Sequence, residues 1–312
     1  MRTFFLRRFA FACVTLYAVL TIIFVLVRIL PGDPALVMLG DEASAEAVAA
    51  LRSRLGLDRP MIVQYIEFVS AALSGDWGVS LVTGRPVIAE VLSVLPWTIE
   101  LTVVALAFGA LIGVPLGVWA AIHRNRWIDY LTRMASLIGL SFPAFVSGIV
   151  LLILLAIQLQ WFPVISARRA TASEWFFSLA LPAFNLGLIM AAYITRVTRS
   201  AMLEVLSEDY VRTARAKGAP WSIVVWRHAL RNALMPIVTI VGLYLGVLIG
   251  NSVLTEIVFN RPGLGKLIVG ALNQRDYTML QGMMVIYTLL VVGINLITDL
   301  VYGLVDPRVK LS

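Results

Sequence analysis

The chain has 312 residues, 60% of them apolar, a single cysteine, a net charge of +7 and a mean hydropathy of +0.90. A soluble domain carries roughly half apolar residues, and this length accommodates several bilayer spans of roughly 20 residues each. Cys13 alone excludes a disulfide framework and a cysteine-rich metal site. The basic residues sit beside apolar segments rather than along one polar domain, which argues against a nucleic-acid partner.

Six spans are predicted, at about 9–30, 98–122, 134–157, 177–195, 233–258 and 281–304. Arg2, Arg7 and Arg8 precede the first, and Arg124, Arg126 and Arg133 lie between the second and third. Arg196, Arg199, Arg212, Arg215, Lys217, Arg227 and Arg231 lie between the fourth and fifth, and Arg308 and Lys310 follow the sixth. The alternate connections are poorer in Lys and Arg, so both termini are expected on the cytoplasmic side of the membrane. The first span is too long for a removable signal peptide and lacks a small-residue cleavage site.

The connection over about 31–96 carries two short amphipathic patterns. Val48, Leu51 and Leu55 mark one helix, stopped by Gly56; Ile62, Tyr65, Ile66, Val69 and Leu73 mark another, opened by Pro60 and closed by Gly75. Neither is long enough to span. Gly109, Gly113 and Gly117 recur every fourth residue in the second span, as do Gly242, Gly246 and Gly250 in the fifth. Such stripes let another helix approach closely; ordinary packing and a moving gate are both compatible with them. Pro115, Pro143 and Pro182 are expected to kink their helices, since each removes a backbone hydrogen bond.

The stretch Leu203–Pro236 is too polar to span and too patterned to be a loose loop. Leu203, Leu206, Tyr210 and Ala214 recur at helical spacing and predict one shared face. Glu208, four residues before Arg212, predicts a helical ion pair. Gly218 reads as a stop, and Pro220 as the first position of a second helix. A basic helix–Gly–helix elbow between two spans offers a docking surface to a soluble partner.

This elbow resembles the cytoplasmic "EAA" loop of ABC-importer permeases, with Thr213, Ala214 and Gly218 in its small-residue and Gly places. Arg212 stands where the general pattern has Glu, and the usual downstream Leu-Pro distance is not kept. The wording Asp209–Gly218, followed by Arg227–Leu234, is similar instead to the dipeptide/oligopeptide/nickel branch, of the dipeptide-permease B type. Leu30-Pro31-Gly32-Asp33-Pro34, Asp76-Trp77-Gly78-Val79-Ser80, Arg85-Pro86-Val87, Pro262-Gly263-Leu264-Gly265 and Asp306-Pro307-Arg308 extend the resemblance over nearly the whole chain.

The resemblance implies an all-α polytopic membrane protein with the type I ABC importer permease fold. It divides the chain into an N-terminal transmembrane helix (1–30), an extracytoplasmic insertion (31–96), a five-helix core (97–304) containing a cytoplasmic coupling loop (196–232), and a cytoplasmic tail (305–312). It also implies a bacterial inner-membrane location and three kinds of partner: a second related permease, two ATPase subunits and an extracytoplasmic solute-binding protein. ATP and Mg would be bound by the ATPases, and this chain would hold no cofactor. Tyr210, Arg212, Thr213, Ala214, Ala216, Lys217, Gly218, Ala219 and Trp221 would form the ATPase-docking surface. The insertion reads as a cap folded on the outer membrane surface, as a contact surface for the binding protein, or as both, with Arg52, Asp58, Asp76 and Arg85 as candidate contacts. The implied cargo is di- or oligopeptides, with glutathione, nickel chelates or sugars as alternatives.

Catalytic patterns are missing. The two histidines, His123 and His228, form no HExxH motif, and Ser147-Gly148 lacks the preceding Gly of a nucleophile elbow. Gly263-Leu264-Gly265-Lys266 reads as a turn rather than a phosphate loop, because Asn260 and Leu267 occupy positions that need Gly and Ser or Thr. Polar residues within spans are candidate passage-lining groups because burying them without partners is costly. They are Asn185 in the fourth span, Asn251, Ser252, Thr255 and Glu256 in the fifth, and Asn295 and Asp299 in the sixth. Interhelical hydrogen bonding is the alternative for each. A secondary transporter would ordinarily place coupling carboxylates or broken helices near the midplane; Glu256 and Asp299 lie toward span ends, which argues against that rival.

Overall fold

The computed structural model describes residues 2–29, 34–39, 43–54, 56–165 and 171–305; within these, the side chains of 2–8, 29, 34, 37–38, 54 and 299–305 are not described. The Asp299 side chain, Leu30–Asp33, Arg169 and the Asp306–Arg308 motif therefore lie outside the described residues. The described chain is helical, apart from one isolated antiparallel bridge between Val79 and Pro86.

In chain order the helices are α1 (Arg2–Ile29), α2 (Pro34–Leu39), α3 (Ala45–Arg54), α4 (Met61–Ser74), α5 (Val87–Ile122), α6 (Trp127–Ser141) and α7 (Ala144–Leu151). They continue with α8 (Ala172–Leu206), α9 (Asp209–Ala216), α10 (Trp221–Ile223), α11 (Leu230–Val258), α12 (Leu264–Asn273) and α13 (Tyr277–Val305). π-helical turns prolong α7 over Leu152–Gln158 and join α10 to α11 over Val224–Ala229. Five helices are long and apolar enough to cross a membrane, and α6 with the prolonged α7 counts as a sixth if the bent pair is one broken span rather than a re-entrant loop.

The third span bends at Pro143, as expected, but so sharply that its two halves are separate helices. The apolar run 134–157 predicts one helix, but the helix begins at Trp127, ends at Ser141, and restarts at Ala144 after a bend of 99°. The cause is Pro143, whose ring disfavours helical backbone at the preceding residue: Phe142 is extended at φ −97°, ψ 130°. By contrast, α5 and α8 run unbroken through Pro115 and Pro182. These two helices, of 36 and 35 residues, reach about 50 Å at ~1.5 Å per residue, well beyond the roughly 30 Å of a hydrocarbon core. The expected end of the fourth span near 195 is passed because burial continues through Thr198, Ala201 and Met202.

The chain divides into two compact units, one of residues 1–96 with 264–293, the other of 97–263 with 294–310. In the first, α4 lies against α1: the hydroxyls of Thr21 and Tyr65 are 2.6 Å apart, and the Phe24 ring packs on those of Tyr65 and Phe68. Val87, Val91, Leu264, Tyr277, Leu280 and Met283 form its apolar core. Asp276 is the polar pin of this unit. One carboxylate oxygen accepts the Met279 amide at 2.9 Å and caps α13; the other accepts the Ser80 hydroxyl at 2.5 Å and the Val82 amide at 3.3 Å. The turn holding Asp76 and Arg85 is thus fastened to the start of α13, while Gln64 donates to the Leu57 and Arg59 carbonyls and fixes the loop before α4.

In the second unit α8 is the central helix, and α5 meets it through the glycine stripe. A Cβ at Gly109 would lie 2.6 Å from that of Met190, one at Gly113 2.8 Å from the Ala191 carbonyl oxygen, and one at Gly117 2.5 Å from the Thr198 Cβ. Gly187 answers from α8 toward Phe108 and the Ala105 carbonyl. Thr195 donates to the Gly113 carbonyl at 3.3 Å across this contact. In the fifth span, Gly242 faces Thr298. α6 is held to α8 by a two-pronged ion pair, with Arg199 Nε 2.5 Å and Nη2 2.7 Å from the Asp129 carboxylate. That carboxylate is fully buried and also accepts the Asn125 amide at 3.0 Å.

Replacing Gly113 by Leu forces side-chain atoms into the Ala191–Ile194 backbone and is expected to destabilise the protein by about 1–3 kcal/mol. Gly293→Ala, where a Cβ meets nothing within 4 Å, should leave the thermal unfolding midpoint in detergent unchanged or slightly raised. Asp129→Ala should destabilise by ~3 kcal/mol, because it strands the partly buried Arg199 charge. Removing both partners should then lose less than the two single changes added together.

Candidate functional site

The elbow begins where α8 tightens at its end: Ser207 and Glu208 amides bond the Glu204 and Val205 carbonyls at 3.1 and 3.2 Å. Glu208 then turns extended, at φ −71°, ψ 147°, and α9 starts at Asp209. The expected single helix through Leu203, Leu206, Tyr210 and Ala214 is therefore two helices. Leu203 and Leu206 close α8, while Tyr210 and Ala214 ride on α9. For the same reason the expected Glu208–Arg212 pair does not form. Glu208 sits outside the helix, and Arg212 lies 3.5 Å from Asp209 instead. Both partners are exposed, so the pair contributes little.

Gly218 terminates α9 as expected. Its φ of +82° is a left-handed conformation that other residues rarely adopt, and its amide bonds the Arg215 carbonyl at 2.9 Å. The Ala219 amide reaches the Ala214 carbonyl at 3.2 Å, so the helix end is satisfied by the reversing chain. Pro220 stands one residue outside α10, in extended conformation, and Trp221 takes the first helical place. From there helix runs continuously through the π turn into α11, so elbow and fifth span are one 38-residue element.

The elbow has two faces. Val211, Val224, Val225 and Ala229 are buried on the inner one. Outward, Tyr210, Arg212, Thr213, Ala216, Lys217, Gly218 and Trp221 are exposed, with Ala214 and Ala219 half-buried beside them. None of the nine residues predicted to dock a partner is buried. Arg215 lies over the Trp221 ring at 4.9 Å, and the Tyr210 hydroxyl accepts from Asn232 Nδ2 at 2.6 Å, tying α9 to α11. Ile223 and Trp226, at 42% and 48% exposure, extend this surface with apolar area and were missed as individual sites. Their signal is an apolar pair falling off the buried period of Val224, Val225 and Ala229.

The polar residues predicted within spans do not gather into one group. Asn185 is buried at the break of the third span: it donates to the Ala144 carbonyl and accepts from Ser147, both at 2.8 Å. Ser252 and Thr255 are buried and bond carbonyls of their own helix, at Ile249 and Asn251. Glu256 is fully buried, accepts the Thr98 hydroxyl at 2.6 Å, and lies against the backbone of Gly263. Asn251 and Asn295 are exposed. The insertion candidates Arg52, Asp58 and Arg85 are exposed as well, and Asp76 accepts the Gly78 amide at 3.1 Å.

Sequence reasoning missed a charged cluster at the far end of α11. Arg261 is fully buried, donating to the Glu100 carboxylate at 2.6 Å and to the Ser178 carbonyl at 3.3 Å. Its guanidinium lies 4.8 Å from the centre of the Trp97 ring, and Glu100 also accepts the Trp175 indole N–H. The partners are 161 residues apart in the chain, so no local spacing announces the pair. Among the described residues, no three His, Cys, Asp or Glu side chains converge as a metal site.

Comparison with known proteins fits this architecture. Residues 113–311 match the family described as "Binding-protein-dependent transport system inner membrane component", and residues 1–102 match its N-terminal companion. The glutathione transport system permease protein GsiC of Salmonella typhimurium is 40% identical over 310 residues, covering 99% of both chains; that of Escherichia coli K12 is 39% identical over the same span. Among solved structures, the inward-facing MetNI methionine ABC transporter aligns with a TM-score of 0.58 at 23% identity, over 71% of this chain and 98% of that one. An amino acid ABC transporter solved with histidines aligns at 0.54 and 15% identity, over 69% of this chain and 94% of the other. With both family regions matched and its relatives aligned end to end, the chain belongs to the inner-membrane components of binding-protein-dependent transport systems and is a multi-pass permease subunit of an ABC importer of the dipeptide/oligopeptide branch.

Proposed function

We propose that this chain pairs with a second, related permease, receives small peptides from an extracytoplasmic binding protein, and is driven by two ATPase subunits docked on its elbow. The observation that carries the reading is the elbow itself: a partly apolar, basic surface from Tyr210 to Trp226 that is continuous with a 38-residue helix. Force applied at Trp221 enters α11 directly, and the buried valines Val211, Val224 and Val225 keep α9 in step with it. ATP and Mg belong to the ATPases in this scheme, and this chain undergoes a conformational change biased by partner contacts. The elbow side is cytoplasmic, as are both termini, in keeping with the arginine distribution. Glutathione, a tripeptide, is the first cargo to test, because it is named in relatives aligned over 99% of both chains.

Gly218→Val puts a β-branched residue at a positive φ, with strain of ~1–3 kcal/mol, in space that is otherwise open. Ala214→Trp places a large ring among the docking residues. Each variant should insert normally yet lose ATPase co-purification, or hydrolyse ATP without import in vesicles. Normal assembly and uptake in both would remove the elbow's coupling role.

Charge reversal at Arg52 or Asp58 in the insertion should lower binding-protein-stimulated ATPase activity more than basal activity. Equal loss of the two in an assembled complex would point to a purely structural cap. Reporter fusions after Arg126 and within Ala214–Gly218 should read cytoplasmic, and one near Gly56 should read external; a cytoplasmic signal at Gly56 would overturn the orientation.

A further inference from the structure

Within the second unit, α6 and α8 leave a groove of about 210 Å³ between them. Three arginines, Arg133, Arg196 and Arg199, reach it, together with Ser136 on its floor and Leu137 and Leu140 along its wall. Arg199 is neutralised by Asp129. Arg133 and Arg196 form no ion pair among the described residues; Arg133 lies by the Tyr130 ring, 6.0 Å from its guanidinium carbon, and also feels the Asp129 charge that Arg199 holds. The groove therefore carries an excess of two positive charges. Ser136 is buried, and its hydroxyl makes no hydrogen bond within the described residues. The outer side of α6 continues the wall as apolar surface, with Leu131, Met134, Leu137 and Ile138 all 56–60% exposed.

A cationic, hydroxyl-lined hollow at the end of a bare apolar helix face has the chemistry of a lipid seat: charge for a phosphate, apolar wall for an acyl chain. Basic pockets between transmembrane helices take anionic headgroups for this reason. We propose that the α6–α8 groove binds the phosphate headgroup of an anionic phospholipid, with Arg133 and Arg196 on the phosphate and the exposed face of α6 against the chain. Because Arg199 shares the groove and clamps α6 to α8 through Asp129, a bound lipid would brace the half of the third span that precedes its break.

The test uses the full-length chain in detergent micelles, titrated with phosphatidylglycerol and, separately, phosphatidylcholine, with retention read by native mass spectrometry. Phosphatidylglycerol should be retained in preference. Each neutralised arginine should weaken it roughly fivefold, the equivalent of about 1 kcal/mol per basic residue near a charged membrane surface. R133Q/R196Q should therefore lose most of the preference, while R133K/R196K should keep it. Equal retention of the two lipids, or an unchanged preference in R133Q/R196Q, would overturn the proposal. Displacement of the lipid by millimolar inorganic phosphate would assign the groove to a free anion instead. A photo-cross-linker at Leu137 should capture lipid; capture of a second permease chain would show that the groove is a subunit interface.

Discussion

The close approach of α5 to α8 is the constraint on which the larger unit depends. A glycine every fourth residue brings α5 so near that its carbonyls and those of α8 come within reach of the opposing side chains. In a bilayer, where lipid is as apolar as leucine, helices associate by such packing and by hydrogen bonds rather than by expulsion of water. With α5 seated, α8 becomes the buried centre, and the other helices of the unit attach to its remaining faces. α6 does so through Asp129 and Arg199, α7 through Asn185, and α11 through the rings of Tyr193 and Tyr244, 4.2 Å apart.

The broken third span shows how polar residues serve this arrangement. A proline break exposes carbonyls that a bilayer cannot satisfy, and such backbone persists only where protein supplies partners. At the restart of the helix Asn185 donates to the Ala144 carbonyl and accepts from Ser147, fastening α7 to α8 just past the break. The bonds that make Asn185 look functional in a list of buried polar residues are thus also ones that hold the restarted helix in place. At the opposite end of the unit from the elbow, Arg261 and Glu100 tie the turn after α11 to α5 and to α8 at Ser178. Both charges are neutralised where they meet, which is the condition for keeping a guanidinium fully buried.

These fixed points leave the elbow firmly seated rather than a loose connection between two spans. Here α9 is anchored on buried valines, Gly218 holds the reversal, and the following helix carries on through α11 without interruption. That path contains a π turn over Val224–Ala229, a feature often found at functional sites in helices, and Pro236 inside α11.

The sequence by itself determined the class of molecule, most of its apolar spans, the elbow and its Gly218 stop. Each rests on local chemistry: apolar runs long enough for a bilayer, arginines beside them, and a residue able to hold a positive φ. The family resemblance was equally legible, because its motifs are contiguous words such as Asp209–Gly218. Pro143 marked where the third span would bend, but the apolar run over 134–157 did not say how far, nor that Pro115 and Pro182 would leave their helices unbroken. The ends of α8 and the split between α8 and α9 depend on what is buried against them. The Asp129–Arg199 and Glu100–Arg261 pairs join residues 70 and 161 positions apart, so no periodicity could match them. Tertiary structure decided these because burying a charge demands a partner in space, and the chain is free to bring that partner from any distance along its length.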